Sequence, residues 1–282
     1  MQGYGGLVSV DELSRHLDDP NWRIVDCRFD LMNTEKGRED FAAGHIPGAV
    51  YAHLDNDLAA AISPETGRHP LPDVPVIEAT LRRYGISSGT QVVVYDAAGG
   101  GLAARLWWML RWLGHSRVAV LDGGMAAWRG QALDVEQAAK TPPQGAFHAN
   151  PRPEWVIDTN ELSERLGGDT APLLVDAREA SRYLGQSEPI DSRAGHVPGA
   201  VNYPFAENLQ ADGHWRTPAQ LATQWDALFS GKVPSEWAVM CGSGVTACHL
   251  ALSAHLAGLT PPRLYPGSWS EWIRDPARPV AP

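Results

Sequence analysis

The residue of this chain best placed for chemistry is Cys241, in the stretch Ala238-Val239-Met240-Cys241-Gly242-Ser243-Gly244-Val245-Thr246-Ala247-Cys248. A short apolar run ends at the cysteine, a collar of small residues follows, and the apolar segment from Ala247 to Leu256 continues at helical spacing. The pattern reads as strand, tight loop and helix. At such a junction a thiol meets unpaired backbone N–H groups and the positive end of a helix dipole, and both favour the thiolate. Gly242 and Gly244 let the backbone curl around the sulfur so that successive N–H groups form an anion-binding nest. The chemistry this suits is nucleophilic attack by sulfur. A buried structural cysteine is the alternative, but a packing role calls for no Gly-Ser-Gly collar.

The elements that must position this loop are written twice. Ser9-Val10-Asp11-Glu12 returns as Asp158-Thr159-Asn160-Glu161, each with a capping residue three positions before a glutamate. The runs Ile24-Val25-Asp26-Cys27-Arg28 and Leu174-Val175-Asp176-Ala177-Arg178 read as buried parallel strands. Gly44-His45-Ile46-Pro47-Gly48-Ala49 matches Gly195-His196-Val197-Pro198-Gly199-Ala200, a turn feeding another strand. Because His45 and His196 occur in both copies, they are expected to brace the turn and not to catalyse. Val92-Val93-Val94-Tyr95-Asp96 stands where Ala238-Val239-Met240-Cys241 stands in the second copy, so only one copy keeps the thiol. The proline-rich stretch 137–153 is expected to be an extended linker between domains at 1–136 and 154–282. Alternating strands and helices make each half an α/β domain with a mainly parallel central sheet flanked by helices.

Composition narrows the function classes. Two domains fit 282 residues, and 44% hydrophobic with 20% charged residues is ordinary for a globular protein. A net charge of −10 argues against nucleic acid as a general partner, so any anionic substrate must meet locally placed arginines. Three cysteines without disulfide-like or metal-like spacing point to a reducing compartment, and the absence of a leader-like start or a membrane-length apolar run makes the cytoplasm the expected location. Cys248 and Cys27 are expected to pack, as are Trp107, Trp108, Trp112, Trp128 and Trp272.

With its duplicated Gly-His-[Ile/Val]-Pro-Gly-Ala turn, Asp96 in one copy, Cys241 in the other and the Gly267-Ser268-Trp269-Ser270-Glu271-Trp272 close, the chain resembles the tandem-domain rhodanese family of sulfurtransferases. The loop resembles the mercaptopyruvate type, since thiosulfate-preferring members usually carry a basic residue within the loop, often in the place of Gly242. The resemblance implies two rhodanese-like domains, the first catalytically silent, and a persulfide on Cys241 cradled by the N–H groups of Gly242, Ser243, Gly244, Val245 and Thr246. It implies a relay of Ser243, His69 and Asp55, and a donor carboxylate held by Arg182, with Arg193 as the second arginine. It implies a small-molecule sulfur donor, a thiol, cyanide or thioredoxin-like acceptor, and neither cofactor nor metal. A thiosulfate-preferring enzyme is the nearest alternative. A cysteine phosphatase would need arginine six residues after the cysteine, where Ala247 stands. A non-catalytic binding module would not need Cys241 and its intact collar.

Overall fold

The repeated frame folds twice in the computed structural model, which describes residues 3–282. In the first copy β1 (Leu7–Val8), α1 (Val10–Ser14), β2 (Trp22–Asp26), α2 (Lys36–Ala43), β3 (Val50–Tyr51), α3 (Leu54–Asp57), α4 (Val74–Arg83), β4 (Gln91–Tyr95), α5 (Ala103–Trp112), β5 (Val118–Leu121) and α6 (Gly124–Gly130) follow one another. In the second, α7 (Thr159–Arg165), β6 (Leu173–Asp176), α8 (Ala180–Tyr183), β7 (Val201–Asn202), α9 (Pro218–Leu228), β8 (Trp237–Met240), α10 (Ala247–Leu256), β9 (Arg263–Leu264) and α11 (Ser268–Trp272) do the same. The sheets run β1-β5-β4-β2-β3 and β7-β6-β8-β9, with every strand pair parallel. Val156 bridges Leu264 in parallel, the outer position that β1 takes beside β5 in the first copy. Central strands β4 and β8 are buried along their whole length, as apolar parallel strands covered on both faces must be.

Local chemistry accounts for the matching starts. Ser9 Oγ accepts the N–H of Glu12 at 3.2 Å and Asp158 Oδ1 accepts that of Glu161 at 2.8 Å, caps that each contribute about 1 kcal/mol. The twin histidines brace their turns: His45 Nδ1 lies 2.8 Å from the Phe41 carbonyl with its ring stacked on Phe41, and His196 Nδ1 lies 2.8 Å from the Tyr183 carbonyl with its ring stacked on Tyr183. Behind each turn a buried arginine grips an aspartate and reaches one carbonyl, Arg28 on Asp26 and Gly44, Arg178 on Asp176 and Gly195. The five tryptophans expected to pack are all buried.

Two compact units result, and they exchange short segments of chain. One comprises the chain up to Ala60, Pro72–Arg152 and Gln210–Trp215, and the other comprises Ala61–Leu71, Pro153–Leu209 and Arg216–Pro282. No composition shift marks the transfer of Ala61–Leu71 to the second unit. The proline-rich stretch is tied along the first unit by backbone bonds from Gly145 to Arg82, Asn150 to Leu113 and Arg152 to Trp112, and by buried Phe147.

On the second unit, Glu236 accepts hydrogen bonds from Arg165 and Arg263, which hold its carboxyl at about 2 against the ordinary 4.5. A depressed folded-state value gives stability that is complete above the ordinary value and is lost as pH falls from about 4.5 towards about 2. Glu236 is over a third exposed, so solvent screens the pair and the effect is modest. Glu236→Gln is expected to flatten that limb of the stability profile while leaving stability nearly unchanged only at about pH 2 and below, as acid titration monitored by circular dichroism would show.

Candidate functional site

Cys241 follows the last residue of β8, and α10 begins six residues later, so the strand, loop and helix expected around it are present. The loop is pinned from α11. The N–H of Cys241 donates to Ser268 Oγ at 3.1 Å, and the Cys241 and Gly242 carbonyls accept the N–H groups of Trp269 and Ser270 at 3.0 and 2.9 Å. The first copy repeats this join, where Met125 and Ala126 donate to the carbonyls of Asp96 and Ala97. There the matching residue is Gly124 at φ +57°, whereas Ser268 holds φ +52° with a side chain attached. That left-handed conformation costs a non-glycine residue about 1–2 kcal/mol, and in return the Ser268 hydroxyl both receives the Cys241 N–H and donates to the Tyr265 carbonyl.

The loop leaves its own donors for a ligand. Among the described residues, the N–H groups of Gly242, Ser243, Val245 and Thr246 donate to no protein acceptor. Gly244 sits at φ +75°, and a Cβ there would lie 2.4 Å from the Pro266 carbonyl oxygen, so only glycine fits. In the first copy Asp96 fills the equivalent nest with its own carboxylate, which accepts N–H groups from Gly100, Leu102 and Ala103 at 3.0, 2.8 and 3.1 Å. Burial raises the Asp96 pKa while these bonds pull it down.

The other two cysteines are elsewhere. Cys248 is buried with its sulfur 3.4 Å from the Gly244 carbonyl. Cys27 is buried in the first unit, where burial and the charges of Asp26, Asp96 and Asp57 push its thiol well above the ordinary range.

His69 reaches the loop on the exchanged segment Ala61–Leu71. That segment is anchored by backbone: Gly67 N–H donates to Glu271 Oε2, Arg68 N–H to Ser270 Oγ, and the Thr66 carbonyl accepts Arg274 Nε, each at 3.1 Å. His69, buried, thereby places Nδ1 2.8 Å from Ser243 Oγ. A hydroxyl and an imidazole so paired can pass a proton to or from a group at the loop. Asp55 lies in the first turn of α3 in the first unit, its N–H donating to His53 Nδ1 and its carboxyl pKa raised by burial.

The two expected arginines part company. Arg182, at the end of α8, is at the loop: a Cβ on Gly242 would lie 3.5 and 3.6 Å from its two terminal nitrogens. Arg193 is exposed, with Nη1 3.4 Å from the Arg278 carbonyl and its own carbonyl accepting Trp269 Nε1. The guanidinium that joins Arg182 at Gly242 is that of Arg68, whose Nη2 would be 3.0 Å from the same Cβ. Two buried acids hold these arginines. Asp191 bonds both Arg68 and Arg182, and Glu188 bonds Arg182 through Nε and Nη2. Burial raises the Asp191 pKa against the pull of both arginines, while the hydrogen bonds of Arg182 and of two backbone N–H groups outweigh burial at Glu188 and lower it. Nothing local in the sequence marks Arg68; its one signal is adjacency to His69. Among the described residues no group of three or more His, Cys, Asp or Glu side chains is clustered to hold a metal, and no helix is long and apolar enough to cross a membrane.

The family model described as "Rhodanese-like domain" matches residues 9–131 and 158–275. A Pseudomonas aeruginosa protein carrying the name probable 3-mercaptopyruvate sulfurtransferase is 43% identical over 277 residues, which cover 98% of this chain and 97% of that protein. A Mycobacterium tuberculosis protein whose name assigns it to the thiosulfate sulfurtransferases is 36% identical over 97% of this chain and 96% of its own. The crystal structure of SseA from Escherichia coli, described with the "Rhodanese" fold of 3-mercaptopyruvate sulfotransferases, superposes with a TM-score of 0.80 at 33% identity, covering 95% of this chain and 100% of that one. Two rhodanese-like segments, two parallel sheets with the thiol kept in one, and relatives that match from end to end agree: the chain belongs to the two-domain sulfurtransferases of the rhodanese family.

Proposed function

We propose that the chain moves sulfane sulfur from 3-mercaptopyruvate to a thiol or cyanide acceptor through a persulfide on Cys241. The observation that carries this reading is the loop itself. The N–H groups of Gly242, Ser243, Val245 and Thr246 are available to an anionic sulfur, and the loop holds no basic residue, while two guanidinium groups reach the backbone beside the cysteine from outside the loop. That arrangement suits a donor whose anionic group sits a few bonds away from the sulfur being transferred, as the carboxylate of a keto-acid thiol does.

In the first half-reaction the Cys241 thiolate attacks the donor sulfur. A sulfur–sulfur bond forms, the donor carbon–sulfur bond breaks, and its electron pair leaves with pyruvate as the enolate. Arg182 offsets the carboxylate charge, and Ser243 with His69 supplies the proton that converts enolate to pyruvate. Asp55 is the acid that the family resemblance adds to this pair. In the second half-reaction an acceptor thiolate attacks the outer sulfur and leaves Cys241 as thiolate, a two-step exchange with the enzyme alternating between forms.

Intact mass spectrometry tests the reading. Donor without acceptor is expected to add one sulfur, about 32 Da, to the protein, and acceptor is expected to remove it. Absence of that adduct overturns the persulfide. Comparison of kcat/KM for 3-mercaptopyruvate and thiosulfate with one acceptor tests the donor, and a large thiosulfate preference would overturn that part alone. Ser243→Ala and His69→Asn are each expected to lower kcat with 3-mercaptopyruvate by about 10²-fold, the usual scale of a lost proton-transfer group, with KM little changed.

A further inference from the structure

The second arginine of the donor site lies where no spacing rule would look for it. Arg68 and Arg182 both bring guanidinium nitrogens to Gly242, the residue beside Cys241: a Cβ there would stand 3.0 Å from Arg68 Nη2 and 3.5 Å from Arg182 Nη1. Two cations so close repel unless acids lie between them, and Asp191 does, bonding Arg68 Nη1 through Oδ1 and Arg182 Nη2 through Oδ2. Glu188 completes the brace on Arg182. The braces occupy Arg68 Nη1 and Arg182 Nε and Nη2. Among the described residues Arg68 Nη2 and Arg182 Nη1, the nitrogens that face Gly242, bond nothing, and Arg68 Nε is buried without a partner. Side chains held from behind with their outer N–H groups unspent are preorganised to bind an anion, and a planar guanidinium pair fits the acceptors of a carboxylate beside a keto oxygen. A Cβ at residue 242 would press on the Arg68 head, which would have to give by a few tenths of an ångström.

We propose that Arg68, braced by Asp191, is the second substrate-binding arginine of this protein and works with Arg182 to hold the carboxylate and adjacent carbonyl of an α-keto-acid sulfur donor. The proposal rests on the reading of Cys241 as the sulfur carrier. Steady-state kinetics of the full chain test it. Arg68→Ala is expected to raise KM for 3-mercaptopyruvate about 10- to 100-fold, the scale of a lost charge-assisted hydrogen bond. The rate at which preloaded persulfide passes sulfur to cyanide should fall by a clearly smaller factor than kcat/KM for 3-mercaptopyruvate, since no carboxylate is bound in that step. Arg68→Lys, which keeps the charge without the fork, is expected to fall between parent and Arg68→Ala. Pyruvate should inhibit the parent competitively and Arg68→Ala at least about tenfold more weakly. An unchanged KM and an unchanged pyruvate inhibition constant in Arg68→Ala overturn the proposal, as does a KM rise found in Arg193→Ala and absent from Arg68→Ala. If Arg68→Ala folds poorly, the same two readouts on Arg68→Lys decide. Failure of the underlying reading is separate, since it shows as no sulfur adduct on the unaltered protein at any donor concentration.

Discussion

Cys241→Ser is expected to fold like the parent and to transfer no measurable sulfur. The substitution exchanges one small group for another at a buried loop, and the bonds that pin the position, Cys241 N–H to Ser268 and Trp269 N–H to the Cys241 carbonyl, are made by backbone and survive. What is lost is the nucleophile. A serine hydroxyl is a far weaker nucleophile than a thiolate, and the nearest imidazole, His69, is already engaged with Ser243. Turnover should fall by about 10³-fold or more, as for other enzymes stripped of their nucleophile. The same variant should show no mass adduct with donor and an unshifted thermal midpoint. Retained transfer in this variant would mean that another thiol carries the sulfur, which the bond of the Cys248 sulfur to the Gly244 carbonyl and the raised pKa of the Cys27 thiol oppose.

Gly244→Ala is the second change expected to do great damage, and it does so through backbone. At φ +75° any L side chain costs about 1–2 kcal/mol. The added methyl would also stand 2.4 Å from the Pro266 carbonyl, a backbone atom in the segment that leads into α11. Relief requires the loop or that segment to move, and the loop is what aims the sulfur and its N–H donors. Displacements near 1 Å at a reacting centre cost about 10²-fold in rate, so kcat should fall on that scale together with the thermal midpoint. Gly199→Ala separates the two causes. Gly199 has φ +82° with nothing within 4 Å of its would-be Cβ, so it should lose stability from strain alone and keep its turnover. Equal losses of activity in the two variants would show that the clash with Pro266 is not what matters.

Much of this molecule follows from local pattern. Capped helix starts, buried apolar strands, the Gly-His-Pro-Gly turns and the lone thiol between β8 and α10 depend on residues a few positions apart, and propensity and periodicity act at that range. Reading the frame twice also separates structural from chemical residues. His45 and His196 recur and brace turns, whereas Cys241 does not recur and Asp96 occupies the matching nest with its own carboxylate.

The surroundings of Cys241 obey longer distances. Ser243 meets His69 across 174 positions, Arg68 reaches Asp191 across 123, and the Arg68 backbone binds Ser270 across 202. Those meetings exist because Ala61–Leu71 leaves the unit that flanks it in sequence and docks by its backbone on α11 of the other. The sequence by itself determined the fold, the repeat and the nucleophile, since each is set by short-range hydrogen bonding and apolar spacing. Only the tertiary structure decided which arginine stands beside Gly242, because a guanidinium is placed there by the carboxylates that neutralise it, and those belong to a segment that no local signal connects to it.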